Sequence, residues 1–177
     1  MRIDSSGNVG IGLSPTSRNN TRLQIVDGIG FPATAVASSD ANTLDDYEEG
    51  TWTPTITFGG NANGVTYDTT FTGATYTKIG NRVFVSGYVG LTNKGSSTGN
   101  AGISNLPFTS ASGSKFYLGA QAEMANTTFA NQMKARIAPN QTTIDLQEIT
   151  EAGVESAITN ADFTNTSYGY FSAHYTI

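Results

Sequence analysis

The sequence predicts an all-β protein: a jelly-roll-like or β-sandwich domain over residues 44–177, preceded by an extended N-terminal arm over residues 1–43. Three observations carry this expectation. Apolar and polar residues alternate with period two in several separate runs, turn-forming Gly, Asn and Pro divide those runs, and no window has the 3.6-residue apolar period of a long amphipathic helix. The clearest strand is Arg82–Leu91, with Val83, Val85, Val89 and Leu91 on one face and Phe84 and Tyr88 on the other. The final segment, Tyr168–Ile177, alternates as strictly: Phe171, Ala173, Tyr175 and Ile177 face one way, and Tyr170, Ser172, His174 and Thr176 the other.

The remaining elements follow in chain order. In the arm, Gly7, Gly10, Gly12 and Pro15 interrupt every apolar run, and Leu23–Val26 ends at the turn pair Asp27–Gly28. Such a segment has too little apolar content for a core of its own, so it either associates with copies of itself or stays a disordered tail. Leu44–Gly50 is an acidic linker. Thr51–Phe58 places Trp52, Pro54, Ile56 and Phe58 on one parity, and Pro54 argues for a sheet edge. Gly59–Gly60 and Asn63–Gly64 are turn signals, the latter suited to a tight hairpin. Lys115–Ala120 reads as a strand, and Ala135–Ala138 and Thr143–Leu146 flank a turn at Pro139–Gln141 to make a hairpin. Asn126–Arg136 is the one segment that allows a short helix. Asn93–Asn100, Thr109–Ser114 and Thr150–Thr166 read as polar loops.

Composition narrows the function classes. The chain has 177 residues and no cysteine, so it is long enough to bury a core without disulfides. Its net charge is -5, with only nine Lys and Arg, which argues against a nucleic-acid partner. No stretch approaches 18 consecutive apolar residues, so no membrane insertion by a helix is expected. Charged residues make up 13% of the chain, so surface polarity must come from Thr, Ser, Asn and Gly.

Catalytic chemistry finds little to work with. A nucleophilic triad needs a base, and the single histidine, His174, lies on the last strand with a surface or packing role. Zinc-ligand types are too few. Asp40–Asp45 starts like a calcium loop but places Leu44 and Asp45 where an oxygen ligand and Gly belong. No cofactor and no metal are expected. Carboxylates that could serve glycoside hydrolysis are Asp45, Asp46, Glu48, Glu49, Glu123, Asp145, Glu148, Glu151 and Glu155, and no spacing singles out a pair. The expectation is a protein without enzymatic activity. Aromatics are better provided: nine Phe, eight Tyr and one Trp. Trp52 reads as core. Tyr67, Tyr117, Tyr168 and Tyr170 either join the core or form a ligand-binding surface, since a phenol offers apolar area with a polar tip.

Two segments resemble bacteriophage tail-fibre sequence. Arg2-Ile3-Asp4-Ser5-Ser6-Gly7-Asn8-Val9-Gly10-Ile11-Gly12 is similar to the motif that ends many fibre shafts just before the tip domain. Leu44-Asp45-Asp46-Tyr47-Glu48-Glu49-Gly50-Thr51-Trp52-Thr53-Pro54 resembles the opening of a domain found in many phage structural proteins. Tyr76–Val83 and Gly102–Phe108 continue that likeness, which together covers about a third of the chain. The resemblance implies the tip of a tail fibre on the exterior of a virion, assembled as a homotrimer. It further implies attachment to other virion proteins through the arm and binding to a host cell-surface glycan or protein. It brings no catalytic residues. The shaft motif starts at Met1, which fits either a piece of a longer fibre or a short virion protein attached by its arm, and no autoproteolytic chaperone is expected after the last strand. The alternatives are a structural virion component with no specific ligand, such as a capsid-surface fibre or collar part, and a glycan depolymerase.

Overall fold

The computed structural model describes residues 1–3, 9–11, 23–25, 29–31, 44, 46–113 and 118–177. The chain divides into two compact units, Met1–Ala37 and Ser38–Ile177. In the first, the short strands β1 (Arg2–Ile3), β2 (Val9–Ile11) and β3 (Leu23–Ile25) form a small sheet, with β1 antiparallel and β3 parallel to β2.

The second unit is all-β. Its strands are β4 (Tyr47–Trp52), β5 (Thr55–Phe58), β6 (Val65–Tyr67), β7 (Gly73–Ile79), β8 (Arg82–Lys94), β9 (Ala101–Ser104), β10 (Leu118–Thr127), β11 (Gln132–Ile137), β12 (Thr143–Ile149), β13 (Glu155–Ala157) and β14 (Phe163–Thr176). They make one antiparallel sheet in the order β4-β7-β8-β14-β10-β11-β12-β9-β5, with β13 alongside β12 and β6 alongside β8. The all-β expectation holds, but where the sequence suggested a jelly roll or sandwich of two sheets the strands form a single curled antiparallel sheet whose inner surface closes over its own core.

The curl follows from connectivity. β4 and β5 are consecutive in the chain, yet they occupy opposite ends of the strand order. Only Thr53 and Pro54 lie between them, so the two borders of the sheet must approach each other there. Proline suits that link, because it has no N–H to donate to a ladder. Pro54 is fully buried between two edge strands, as its parity and chemistry predict.

Ile56, Phe58, Val83, Val85, Val89, Ile103, Ile137, Ile144, Leu146, Phe171 and Tyr175 pack on the inner face, each nearly or wholly buried. The valines of β8 and Phe171 and Tyr175 of β14 are the residues that alternation assigns inward. Trp52 is half-buried against this core, its ring 5.7 Å from that of Phe171.

Local chemistry sets the turns. Gly59 and Gly60 both have positive φ, and Phe58 and Asn61 exchange backbone hydrogen bonds across them. The tight two-residue turn therefore lies at Gly59–Gly60. At Asn63–Gly64 only the glycine is left-handed, with Val65 N–H donating to Ala62.

Two sequence expectations are overturned. Asn126–Arg136 is not helical: Asn126, at φ 55°, is a bulge residue in β10, and β11 begins at Gln132. Pairing to β14 and β12 decides the conformation of these strands, overriding their weak local helix preference. The intervening turn is held by Glu148 of β12, whose carboxylate accepts from the N–H groups of Ala130 and Asn131 and from Asn131 Nδ2. Thr150–Thr166 is not a plain loop either. It contains β13, a 3₁₀ turn at Asn160–Asp162 closed by a Thr159–Asp162 capping box, and the start of β14 at Phe163.

Tyr175 is fully buried, and its hydroxyl accepts from Phe108 N–H at 3.3 Å. Burial pushes its pKa up to about 12 against the opposing pull of that hydrogen bond, and Tyr67, Tyr76 and Tyr88 are shifted upward as well. Unfolded tyrosines titrate near 10, so between pH 10 and pH 12 the unfolded chain releases protons that the native chain keeps. Stability should hold up to pH 10 and then fall steeply, as read by urea midpoints across that range. Tyr175→Phe should flatten the fall.

Candidate functional site

The outer face of β7, β8, β14 and β10 carries a set of side chains that a water-facing surface does not need. Strand register brings them together in rows. Tyr88 pairs with Tyr170, Ser86 with Ser172, Phe84 with His174, and Gly90 with Tyr168. On the β7 side, Thr75 lies opposite Ser86 and Thr77 opposite Phe84, and Thr51 of β4 follows Thr75. On the β10 side, Gln121 lies opposite Ser172 and Glu123 opposite Tyr170.

The first row is aromatic. The Tyr88 ring centroid is 5.1 Å from Tyr170, 5.9 Å from Tyr168 and 6.4 Å from Phe71. Phe71 is 67% exposed and Tyr170 59%, so large apolar area stays in water. Tyr88 lies at the centre of the cluster, and its phenol is shifted upward by burial first, then by Tyr170, Asp68 and Tyr168. Its ring covers the backbone of Gly90, where an added Cβ would come within 2.9 Å of the Tyr88 hydroxyl. Glycine is required there by this close approach.

The second row consists of Thr51, Thr75, Ser86, Ser172 and Gln121. It forms the floor of two adjoining shallow depressions that together make a groove, one lined in part by Thr75, Ser86, Gln121, Ser172, Phe84 and His174, the other by Thr51, Thr75, Ser86, Tyr88 and Tyr170. Thr75 and Ser86 share one long contact of 3.4 Å. Among the described residues the side chains of Thr51, Thr77, Gln121 and Ser172 make no hydrogen bond within the chain. The third row, Phe84 and His174, has rings 6.2 Å apart and closes the far side, with Phe84 47% exposed. Two residue steps separate adjacent rows, so the aromatic walls stand about 13 Å apart along the strands.

Charged groups border the groove beyond β10. Glu155 accepts from Lys134 and lies 3.6 Å from Arg136, whose Nε is 3.7 Å from Asp145. The Lys134 contact holds the Glu155 carboxyl below its usual range. Burial raises that of Asp145 against the attraction of Arg136. No group of three or more metal-ligating side chains occurs among the described residues.

Of the tyrosines singled out from sequence, Tyr168 and Tyr170 meet in the aromatic row. Tyr117 lies outside the described residues. Tyr67 is placed elsewhere. Its hydroxyl accepts from Ile56 N–H at 3.0 Å and donates to Ile56 C=O at 3.2 Å, so it stands in for a strand at the open edge of β5. Tyr67→Phe should leave both groups of Ile56 unsatisfied and cost about 1–3 kcal/mol, seen as a lower urea midpoint. Sequence reasoning missed Tyr88, Phe71, Phe84 and the hydroxyl row as site residues. The signal for Tyr88 was its position opposite Val85 and Val89, which marks it as outward-facing.

No family model matches this chain, and no curated protein matches it. Among solved structures, the fold is similar to the crystal structure of Dettilon tailspike protein (gp208), with a TM-score of 0.58 at 16% sequence identity. The match covers 73% of this chain and 24% of that one, so the chain spans less than a third of the tailspike's length, and the likeness is one of fold.

Proposed function

We propose that this chain is a bacteriophage tail appendage protein that binds a host surface glycan or protein through the outer face of β8 and β14. The observation that carries the reading is the exposed cluster of Tyr88, Tyr168, Tyr170 and Phe71 beside a row of unengaged hydroxyl and amide side chains. An apolar area of this kind, exposed and rimmed by polar groups, is characteristic of a binding surface. The phage assignment is supported by the fibre-like motifs near Arg2–Gly12 and Leu44–Pro54 and by the fold shared with a tailspike.

The same reading makes the working form a homotrimer on the virion exterior, with residues 1–43 joining it to other virion proteins. It makes the chain a binder without catalysis. In support, Asp145 and Glu155 are engaged by Arg136 and Lys134, and Glu148 by a turn backbone. Glu49 and Glu123 border the groove from strands four places apart, about 19 Å, which is wider than a glycosidase carboxylate pair. The test is adsorption of the purified, dye-labelled protein to cells of the bacterium that the parent virus infects. Saturable adsorption, by a species of about three times 18.6 kDa in light scattering, is expected. If the protein assembles but does not adsorb, a structural virion component replaces the receptor-binding reading.

A further inference from the structure

We infer that the groove takes an uncharged oligosaccharide, laid across the strands between the Tyr88–Tyr170 and Phe84–His174 walls. The inference rests on the receptor-binding reading and narrows its ligand to one chemical class.

Three features point there. The first is the unspent hydrogen-bonding capacity of the floor. The side chains of Thr51, Gln121 and Ser172 have no partner within the described residues, nor has that of Thr77 beside the Phe84 wall, and Ser86 has only a long contact to Thr75. Hydroxyls and an amide both donate and accept, which matches the hydroxyls of a sugar and has no preference for a fixed charge. The second is the walls. Pyranose rings present apolar C–H faces that stack on phenol and phenyl rings, and the two aromatic rows supply such platforms about 13 Å apart with the polar floor between them.

The third feature is charge. None of the floor residues is ionic, and the nearest ionic side chains lean acidic. Glu123 lies opposite Tyr170, Glu49 opposite Thr77, and Asp68 close enough to Tyr88 to raise its phenol. The cations nearest the groove, Lys134 and Arg136, are already paired with Glu155 and Asp145. The chain as a whole carries a net charge of -5. An acidic polysaccharide would approach a field of its own sign and find no uncommitted cation on the floor itself, since the guanidinium on this face that is free among the described residues, Arg82, lies one row beyond the Phe84–His174 wall.

The experiment uses the full-length protein and the Ser86→Glu variant, which sets a carboxylate on the exposed floor of the groove. Both are applied to a glycan array printed with uncharged oligosaccharides and with uronic-acid- and sialic-acid-bearing ones. Adsorption to cells is measured in parallel, in competition with the free oligosaccharides that score on the array. Binding confined to uncharged glycans, competition by them on cells, and a loss of tenfold or more in Ser86→Glu support the inference. Ser86→Ala, which keeps the groove open, should lose less than Ser86→Glu. If the protein adsorbs to cells but only acidic glycans score or compete, the inference fails while receptor binding stands. Adsorption that no array glycan competes away, but that protease treatment of the cells abolishes, points to a protein receptor and also overturns it. Absence of both adsorption and array binding removes the receptor reading itself. A lower light-scattering mass for Ser86→Glu than for wild type would mean that this face is closed by another copy of the chain, which overturns the inference too.

Discussion

Replacing Lys78 with alanine should destabilise the β domain by about 3 kcal/mol or more. Lys78 is only 7% exposed, on the inner side of β7. Its ammonium group forms an ion pair with Asp46, just before β4, and lies 5.5 Å from the centroid of the Phe108 ring. Phe108 in turn meets Tyr76 edge-on, with centroids 5.4 Å apart, and the Tyr76 hydroxyl donates to Glu48. Removing the ammonium leaves the Asp46 carboxylate largely out of water with no counter-charge, and that loss exceeds what the intact pair contributes. It also takes the cation off the Phe108 ring. The double variant Lys78→Met with Asp46→Leu should recover most of the loss, because both charges then vanish together. Urea denaturation of the three proteins decides the matter. A single-variant loss below 1 kcal/mol would mean that the pair behaves as a solvent-screened surface pair.

Tyr88→Ala should abolish most of the adsorption to host cells while leaving the fold intact. Tyr88 is the ring that Phe71, Tyr168 and Tyr170 all touch, so its loss removes the centre of the aromatic wall. Truncating a central tyrosine of a binding surface costs about 2 kcal/mol, on the order of 30-fold in single-site affinity. Three linked sites would magnify the effect in adsorption. The side chain leaves from the outer face, so β-type circular dichroism and the urea midpoint should change little. Gly90→Ser offers an independent route to the same end. Its Cβ would press on the Tyr88 ring and turn it away from Tyr168 without deleting any aromatic group. If neither variant alters adsorption, the aromatic row is a bystander and the binding surface lies elsewhere on the chain.

Much of the local architecture was legible in the sequence. Period-two alternation in Arg82–Leu91 and Tyr168–Ile177 assigned the inward and outward residues of β8 and β14, because burial on one side of a strand leaves its trace every second residue. Proline at position 54 marked the border of the sheet through its missing donor, and the Pro139–Gln141 turn marked the β11–β12 hairpin. The scarcity of cations argued against nucleic acid as a partner. These features are written in the chain because each depends on a residue and its immediate neighbours.

Tertiary structure alone decided the rest. Which strands lie side by side depends on contacts between residues distant in sequence, so nothing local announces that β4 and β5 stand at opposite borders of one sheet. The same holds for the site. Tyr88 and Tyr170 are both legible as outward-facing, but only the antiparallel register of β8 with β14 sets them opposite each other, and a shift of one residue would turn either strand's outer row into the core. Tyr67 looked equally suited to a ligand until the curl of the sheet brought its hydroxyl to the free edge at Ile56. Asn126–Arg136 had weak helical character that pairing with two neighbouring strands overrode. Alternation thus determined which way each side chain points, while strand register, set by closing the sheet over a common core, decided which outward side chains meet.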